Sequence, residues 1–285
     1  MRQFSVSRRT FLAESAGIIV TSSMAVANQP GRSGEDPSLR LKAMTAMARG
    51  ITVRELAEPA SESGKPVALR AEPLLRYSDE PRAIHDATLW AWGATGRPAA
   101  VLKVEHLPAR PPERRWVEGI VTLSSGLLSV DLGAGQSWKS RKPGLLPKAV
   151  PDAPAPAATE GARLAQMRSL TRRFAASEYA GPARGRLQLR LLTSPLHRYK
   201  DETAGLVDGA LFAFAYGTNP DVLLVLEANR VPASSATPIW SYAAARLGGG
   251  EASMTLDGKD VWTEPYADPP SERDTYLNRW VAEKD

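Results

Sequence analysis

The chain has 285 residues, 43% of them hydrophobic and 24% charged, a balance that supports one or two buried cores and excludes a chain disordered throughout. Its net charge of +5 is too weak and too dispersed to specify a nucleic-acid partner. With no cysteine, disulfide frameworks, thiolate metal sites and thiol catalysis are excluded.

In chain order the first signal is Ser7-Arg8-Arg9-Thr10-Phe11-Leu12, followed by the apolar run Ala16-Gly17-Ile18-Ile19-Val20 and the small residues Ala25-Val26-Ala27. This segment resembles a twin-arginine export signal, departing from it at Ala13, where lysine is common, and at Glu14. The resemblance implies that residues 1–27 are an export signal and that Arg8 and Arg9 are read by the twin-arginine translocation machinery. It further implies cleavage after Ala27 and a periplasmic or otherwise exported mature protein. The stretch from Leu12 to Ala27 is too short and too polar for a stable membrane span. Residues 28–38 read as a flexible linker.

A helix is expected next, with Leu41, Met44, Met47 and Ile51 on one face and Ser38 as its cap. Leu164, Met167, Leu170 and Phe174 repeat that spacing further on, with Thr159 as cap. The correspondence extends downstream. Pro73 to Glu105 lies over Pro195 to Glu227 at a constant offset of 122, with twelve of 33 paired positions identical. Within it, Trp90 and Trp92, or Phe212 and Phe214, alternate with small residues as one face of a strand. A four-residue turn then leads to a second apolar strand, the sign of a hairpin. Val222 to Leu226 is apolar on both faces and belongs inside a covered sheet.

These patterns predict an α+β protein of two tandem repeats, each one N-terminal helix plus an antiparallel meander sheet of about five strands. Module 1 covers 39–142 and module 2 covers 159–264. The proline- and alanine-rich residues 143–158 read as a stiff spacer. Residues 265–285 read as a tail with a short helix over Tyr276, Leu277, Trp280 and Val281, capped by Ser271 and Asp274.

No zinc-binding histidine pair, nucleophile elbow or phosphate loop is present, so no metal or cofactor is expected and no catalytic residue is assigned. Gly248-Gly249-Gly250 reads as a flexible turn. Polar residues common to both copies are the candidates that remain. Asp86, Asp208, Glu105 and Glu227 are the acid/base candidates if the copies face one another. Their ordinary roles are turn caps and ion pairs. Trp116, Trp138, Trp240 and Trp262, at strand ends, are the ligand-contact candidates.

The stretch from Leu189 through Pro195-Leu196-His197-Arg198-Tyr199 and Asp208-Gly209-Ala210-Leu211-Phe212-Ala213-Phe214 to Ala228 resembles an uncharacterised family of exported bacterial proteins. That resemblance implies no activity, cofactor or site residue. The function expected is therefore a non-catalytic, two-module binding or interaction protein of the cell envelope, with an unknown envelope ligand or protein as partner and no nucleic acid. The alternative is an envelope hydrolase using duplicated carboxylates between the modules.

Overall fold

Asp36 starts the first helix, α1 (Pro37–Arg49), by accepting a hydrogen bond from Ser38 N at 2.8 Å, with Pro37 at the first helical position. The cap is thus Asp36 rather than Ser38. The computed structural model describes residues 36–57, 64–110, 114–230, 237–267, 269 and 271–282. Arg8, Arg9, Ala27 and the rest of the export segment lie outside them. The buried face of α1 is Arg40, Met44 and Ala48, turned from the expected one because Arg40 is drawn inward to a carboxylate on the sheet. The second helix, α2 (Glu160–Thr171), is capped by Thr159 as expected and buries Arg163, Met167, Leu170 and Thr171.

Eight strands follow α1: β1 (Thr52–Leu56), β2 (Gly64–Val67), β3 (Leu75–Asp79), β4 (Ile84–Trp92), β5 (Ala100–Arg110), β6 (Arg114–Thr122), β7 (Leu127–Gly133) and β8 (Gln136–Lys139). A short strand, β9 (Lys148–Ala149), precedes α2. Eight more follow that helix: β10 (Phe174–Tyr179), β11 (Arg186–Leu191), β12 (His197–Asp201), β13 (Leu206–Tyr216), β14 (Asn219–Asn229), β15 (Ile239–Arg246), β16 (Glu251–Leu256) and β17 (Lys259–Glu264). Two more, β18 (Ser271–Glu272) and β19 (Tyr276–Ala282), end the described chain. The protein is thus α+β and mostly sheet.

The expected five-strand meander is not what forms. In the first half β1 pairs with both β2 and β7, giving the order β2-β1-β7-β8, while β18-β19-β6-β5-β4-β3 form a second sheet. The second half runs β17-β16-β10-β11-β13-β14-β15-β9, with β12 also on β13. In the second half β10 and β11 join the sheet of the long hairpin β13–β14, whereas in the first half β1 and β2 stand with β7 and β8 in a sheet separate from the hairpin β4–β5.

Period-two alternation sorts the side chains into three cores. Trp90, Trp92, Leu102 and Val104 pack with Met44 and Ala48 beneath α1, and Phe212, Phe214, Val222 and Leu224 pack with Met167 and Leu170 beneath α2. The alternate residues, among them Leu89, Ala91 and Val101 with Leu211, Ala213, Leu223 and Val225, form a third core shared by the two halves. The described residues make one compact unit, so the halves are not separate lobes.

Two segments depart from their expected roles. The spacer before α2 contributes β9, which pairs with β15 of the second half, and Leu145 enters the shared core. The expected C-terminal helix is instead β19, which pairs with β6 of the first half along Tyr276↔Val121 to Val281↔Trp116. Apolar residues on both sides of β19 explain the strand: Tyr276 enters the shared core, while Leu277 and Val281 pack against the core beneath α1. Each half therefore takes sheet strands from the chain that follows the other half: β9 at the edge of the second half's sheet, and β19 with β18 beside β6 of the first. Among the described residues no helix is long and apolar enough to cross a membrane.

Candidate ligand-binding cleft

Asp86 and Asp208 fasten each helix to its sheet. Asp86 accepts from Arg40 Nε at 3.3 Å and from Arg76 Nε and Nη2 at 3.0 and 2.6 Å, while Arg76 also reaches Pro37 O. Asp208 is held in the same way by Arg163 Nε at 2.8 Å and Arg198 Nε and Nη2 at 2.9 and 2.6 Å. Each carboxylate is buried within its own half, so the structure does not bring the two together.

Glu105 and Glu227 each accept from a buried tyrosine on the face between the halves. Tyr77 Oη donates to Glu105 at 3.2 Å and to Asn219 Oδ1 at 2.8 Å, and Tyr199 Oη donates to Glu227 at 3.0 Å. Burial, followed by the neighbouring glutamate, raises both phenols well above their ordinary value, so both remain donors. The two glutamates do not form a pair: Asn219, beside Glu105, and Glu227 stand at opposite ends of β14, roughly 26 Å apart along the strand.

The interface consequently has two ends, and they are built differently. At one end Arg82 crosses from the first half, donating to Glu178 at 2.6 Å and to Asp221 at 3.1 Å over the ring of Tyr216. Lys103 Nζ donates to Asn219 Oδ1 at 3.0 Å and stands 3.2 Å from Glu105 and 3.9 Å from Asp221. Burial alone would lower the Arg82 guanidinium, but Asp221 and Glu178 raise it on balance. Burial pushes the Asp221 carboxyl up to about 7, opposed by Lys103 and Arg82 and helped by Glu178 and Glu105.

Gly248-Gly249-Gly250 closes this end and is no flexible turn. A Cβ on Gly248 would stand 2.6 Å from Asp221 Oδ1, and one on Gly250 would stand 2.3 Å from Glu178 Oε1. The loop is fixed from behind by Arg246, whose guanidinium donates to the carbonyls of all three glycines and of Pro265.

The other end is open. A cleft of about 640 Å³ lies between the turn 93–99, Ser124, Ser125, Glu55 and Lys65 of the first half and Asp201, Ala204, Leu206, Glu227 and Asn229 of the second. Arg97 crosses it to Glu227 at 3.2 Å, and Ser124 Oγ donates to Glu55 at 3.0 Å. Hydrogen bonds from Thr203 lower the Asp201 carboxyl. No histidine lines the cleft, and the described residues hold no cluster of potential metal ligands. Its polar walls of both charges suit binding.

Of the tryptophans expected to meet ligand, Trp116 and Trp138 are buried in the core beneath α1 and Trp240 in the core beneath α2. Trp116 stands opposite Val281 of β19, Val150 N donates to Trp240 O, and Trp138 shares its core with Met44 and Ala48 of α1, partners that the sequence did not announce. Trp262 is partly buried and lines a smaller groove of about 230 Å³ beside Leu146 and Tyr242. Sequence reasoning missed Glu55, Glu178, Arg82 and Asp221. Glu55 and Glu178 are identical at offset 123 and sit among apolar strand residues, a signal outside the match that begins at Pro73. The chain matches no family model, no curated protein and no solved structure.

Proposed function

We propose that the protein is a non-catalytic two-module binding protein of the cell envelope, and that its ligand site is the cleft between the halves. The observation that carries this reading is the cleft itself: concave and lined by polar groups of both charges from both halves. The two modules are a tandem duplication. This is supported by the registers Val53↔Val130 and Glu55↔Leu128, which recur as Ala176↔Met254 and Glu178↔Ala252. Export by the twin-arginine machinery places the protein in the periplasm or beyond, and rests on Arg8 and Arg9.

The hydrolase alternative draws no support from its own candidate residues, because Asp86 and Asp208 are each neutralised by two arginines and Glu105 and Glu227 lie at opposite ends of the interface. Binding and turnover assays on a panel of envelope glycans, esters and peptides test the choice. Binding without turnover, lost in Ser125→Trp, is expected. Turnover abolished by Asp86→Asn or Asp208→Asn would overturn it. Retention of an Arg8→Lys/Arg9→Lys variant in the cytoplasm, with the parent chain in the envelope fraction, is the expected export result.

A further inference from the structure

The closed and open ends of the interface are counterparts, and the closed end displays what the open end lacks. Glu178 and Glu55 hold the same register position on β10 and β1. Arg82 and Ala204 hold the same position in the turn after β3 and β12. Arg82 N donates to Asp79 Oδ1 at 3.2 Å and Ala204 N to Asp201 Oδ1 at 3.2 Å, and the next residue, Ala83 or Gly205, has φ of 57° or 74°. The covering loop corresponds as well, since Leu247 N donates to Asp221 O and Leu123 N to Ala99 O. At the closed end the Arg82 guanidinium fills the space against Glu178. At the open end the arginine is Ala204 and Asp221 is replaced by Ala99, and that space is part of the cleft.

Resting on the reading of this cleft as the ligand site, we infer that it takes a cationic group, a guanidinium or primary ammonium, against Glu55 in the place that Arg82 fills against Glu178. The only hydrogen bond that Glu55 accepts among the described residues comes from Ser124 Oγ, which leaves carboxylate lone pairs for a charged donor. The balance of charge agrees. Three carboxylates, Glu55, Asp201 and Glu227, line the cleft against two cations, Lys65 and Arg97, so one further positive charge neutralises it. At the closed end the counterpart guanidinium is seated between the Glu178 carboxylate and the ring of Tyr216, whose place at the open end is taken by the smaller Ala94 of the cleft wall, so the charged contact there falls to Glu55.

The test is titration of the full chain with n-butylguanidinium and its neutral isostere n-butylurea, followed by heteronuclear NMR and calorimetry. The guanidinium is expected to shift resonances of Glu55, Ser124 and Ala204 and to bind at least roughly tenfold more tightly than the urea. Glu55→Gln is expected to erase that preference. Ala204→Arg, on an exposed turn, is expected to fill the slot from within, abolish binding and raise Tm. Equal binding of the two probes, or binding indifferent to Glu55→Gln, overturns the cationic assignment. If neutral glycans bind and are lost in Ser125→Trp while n-butylguanidinium does not bind, the assignment falls and the cleft remains the ligand site. If no probe perturbs the cleft, both fall.

Discussion

Tyr77 in the first half donates its hydroxyl to Asn219 in the second at 2.8 Å, and Asn219 also receives Lys103 from across the same interface. One side-chain amide is thus the meeting point of two elements of the first half. Tyr77→Phe removes a donor that Asn219 and Glu105 share in a buried setting, so a loss of about 1–3 kcal/mol is expected from urea unfolding. Tyr199→Phe should cost less, because Glu227 keeps Arg97 and Asn229 as donors.

Arg82 is the larger anchor. Its removal leaves Glu178 and Asp221 facing each other in a buried site with Lys103 as the nearest remaining cation. Arg82→Met, which keeps most of the side-chain volume, is expected to cost about 3–5 kcal/mol, the penalty of an uncompensated buried charge. Arg141→Met, whose pairs with Glu272 and Asp274 are exposed, should shift stability by less than about 1 kcal/mol. Urea midpoints at constant m-value check both.

Asp221 makes this end respond to pH. Its carboxyl stands near 7 in the folded protein against an ordinary 3.8, so the folded state holds a proton that the unfolded chain has already released. The resulting contribution to stability is complete below about pH 4 and is lost as pH rises through 7, with a slope of up to about 1.4 kcal/mol per unit. His197, which burial lowers to about 4, works in the opposite direction, its contribution being lost as pH falls from 6.5 toward 4. It is common to both proteins compared, so the difference between Asp221→Asn and the parent isolates Asp221. Asp221→Asn should gain relative stability from pH 4 to 7 in thermal unfolding, and a difference independent of pH would refute the assignment.

Local pattern and long-range pairing contributed unequally to what the sequence disclosed. The central hairpin, the tryptophan and phenylalanine alternation and the doubly covered β14 were legible because each is a statement about neighbours a few residues apart. The pairing of β1 with β7, the exchange of β9 and β19, and the burial of Trp116 and Trp240 were not, because they depend on partners far along the chain. The spacing of Tyr276, Leu277, Trp280 and Val281 serves a helix face as well as a strand covered on both sides, and only β6 beside it decides. The site was hidden for a related reason. In the proposed site the informative residue is Ala204, whose meaning arises only by comparison with Arg82, 122 residues earlier.

The exchanged strand can be tested at Tyr276, which is 1% exposed, lies over Gly119 and receives the Arg246 guanidinium on its ring at 5.0 Å. Tyr276→Ala should cost about 3–5 kcal/mol. Hydrogen exchange should quicken in β6, on the other half of the chain, which a tail helix packed on the surface would not produce.

The glycine loop supplies the sharpest comparison between the two ends. Gly250→Ala would place a Cβ 2.3 Å from Glu178 Oε1, and that carboxylate cannot retreat because Arg82 holds it, while Arg246 holds the loop. Overpacking of this kind is expected to cost about 1–3 kcal/mol. Gly126→Ala, 124 residues earlier, would meet nothing nearer than Ser124 Oγ at 3.7 Å and should leave stability nearly unchanged. Restoring stability in Gly250→Ala by adding Glu178→Ala, measured as a double-mutant cycle, would trace the strain to the carboxylate itself. Additive effects would place it in the loop backbone instead.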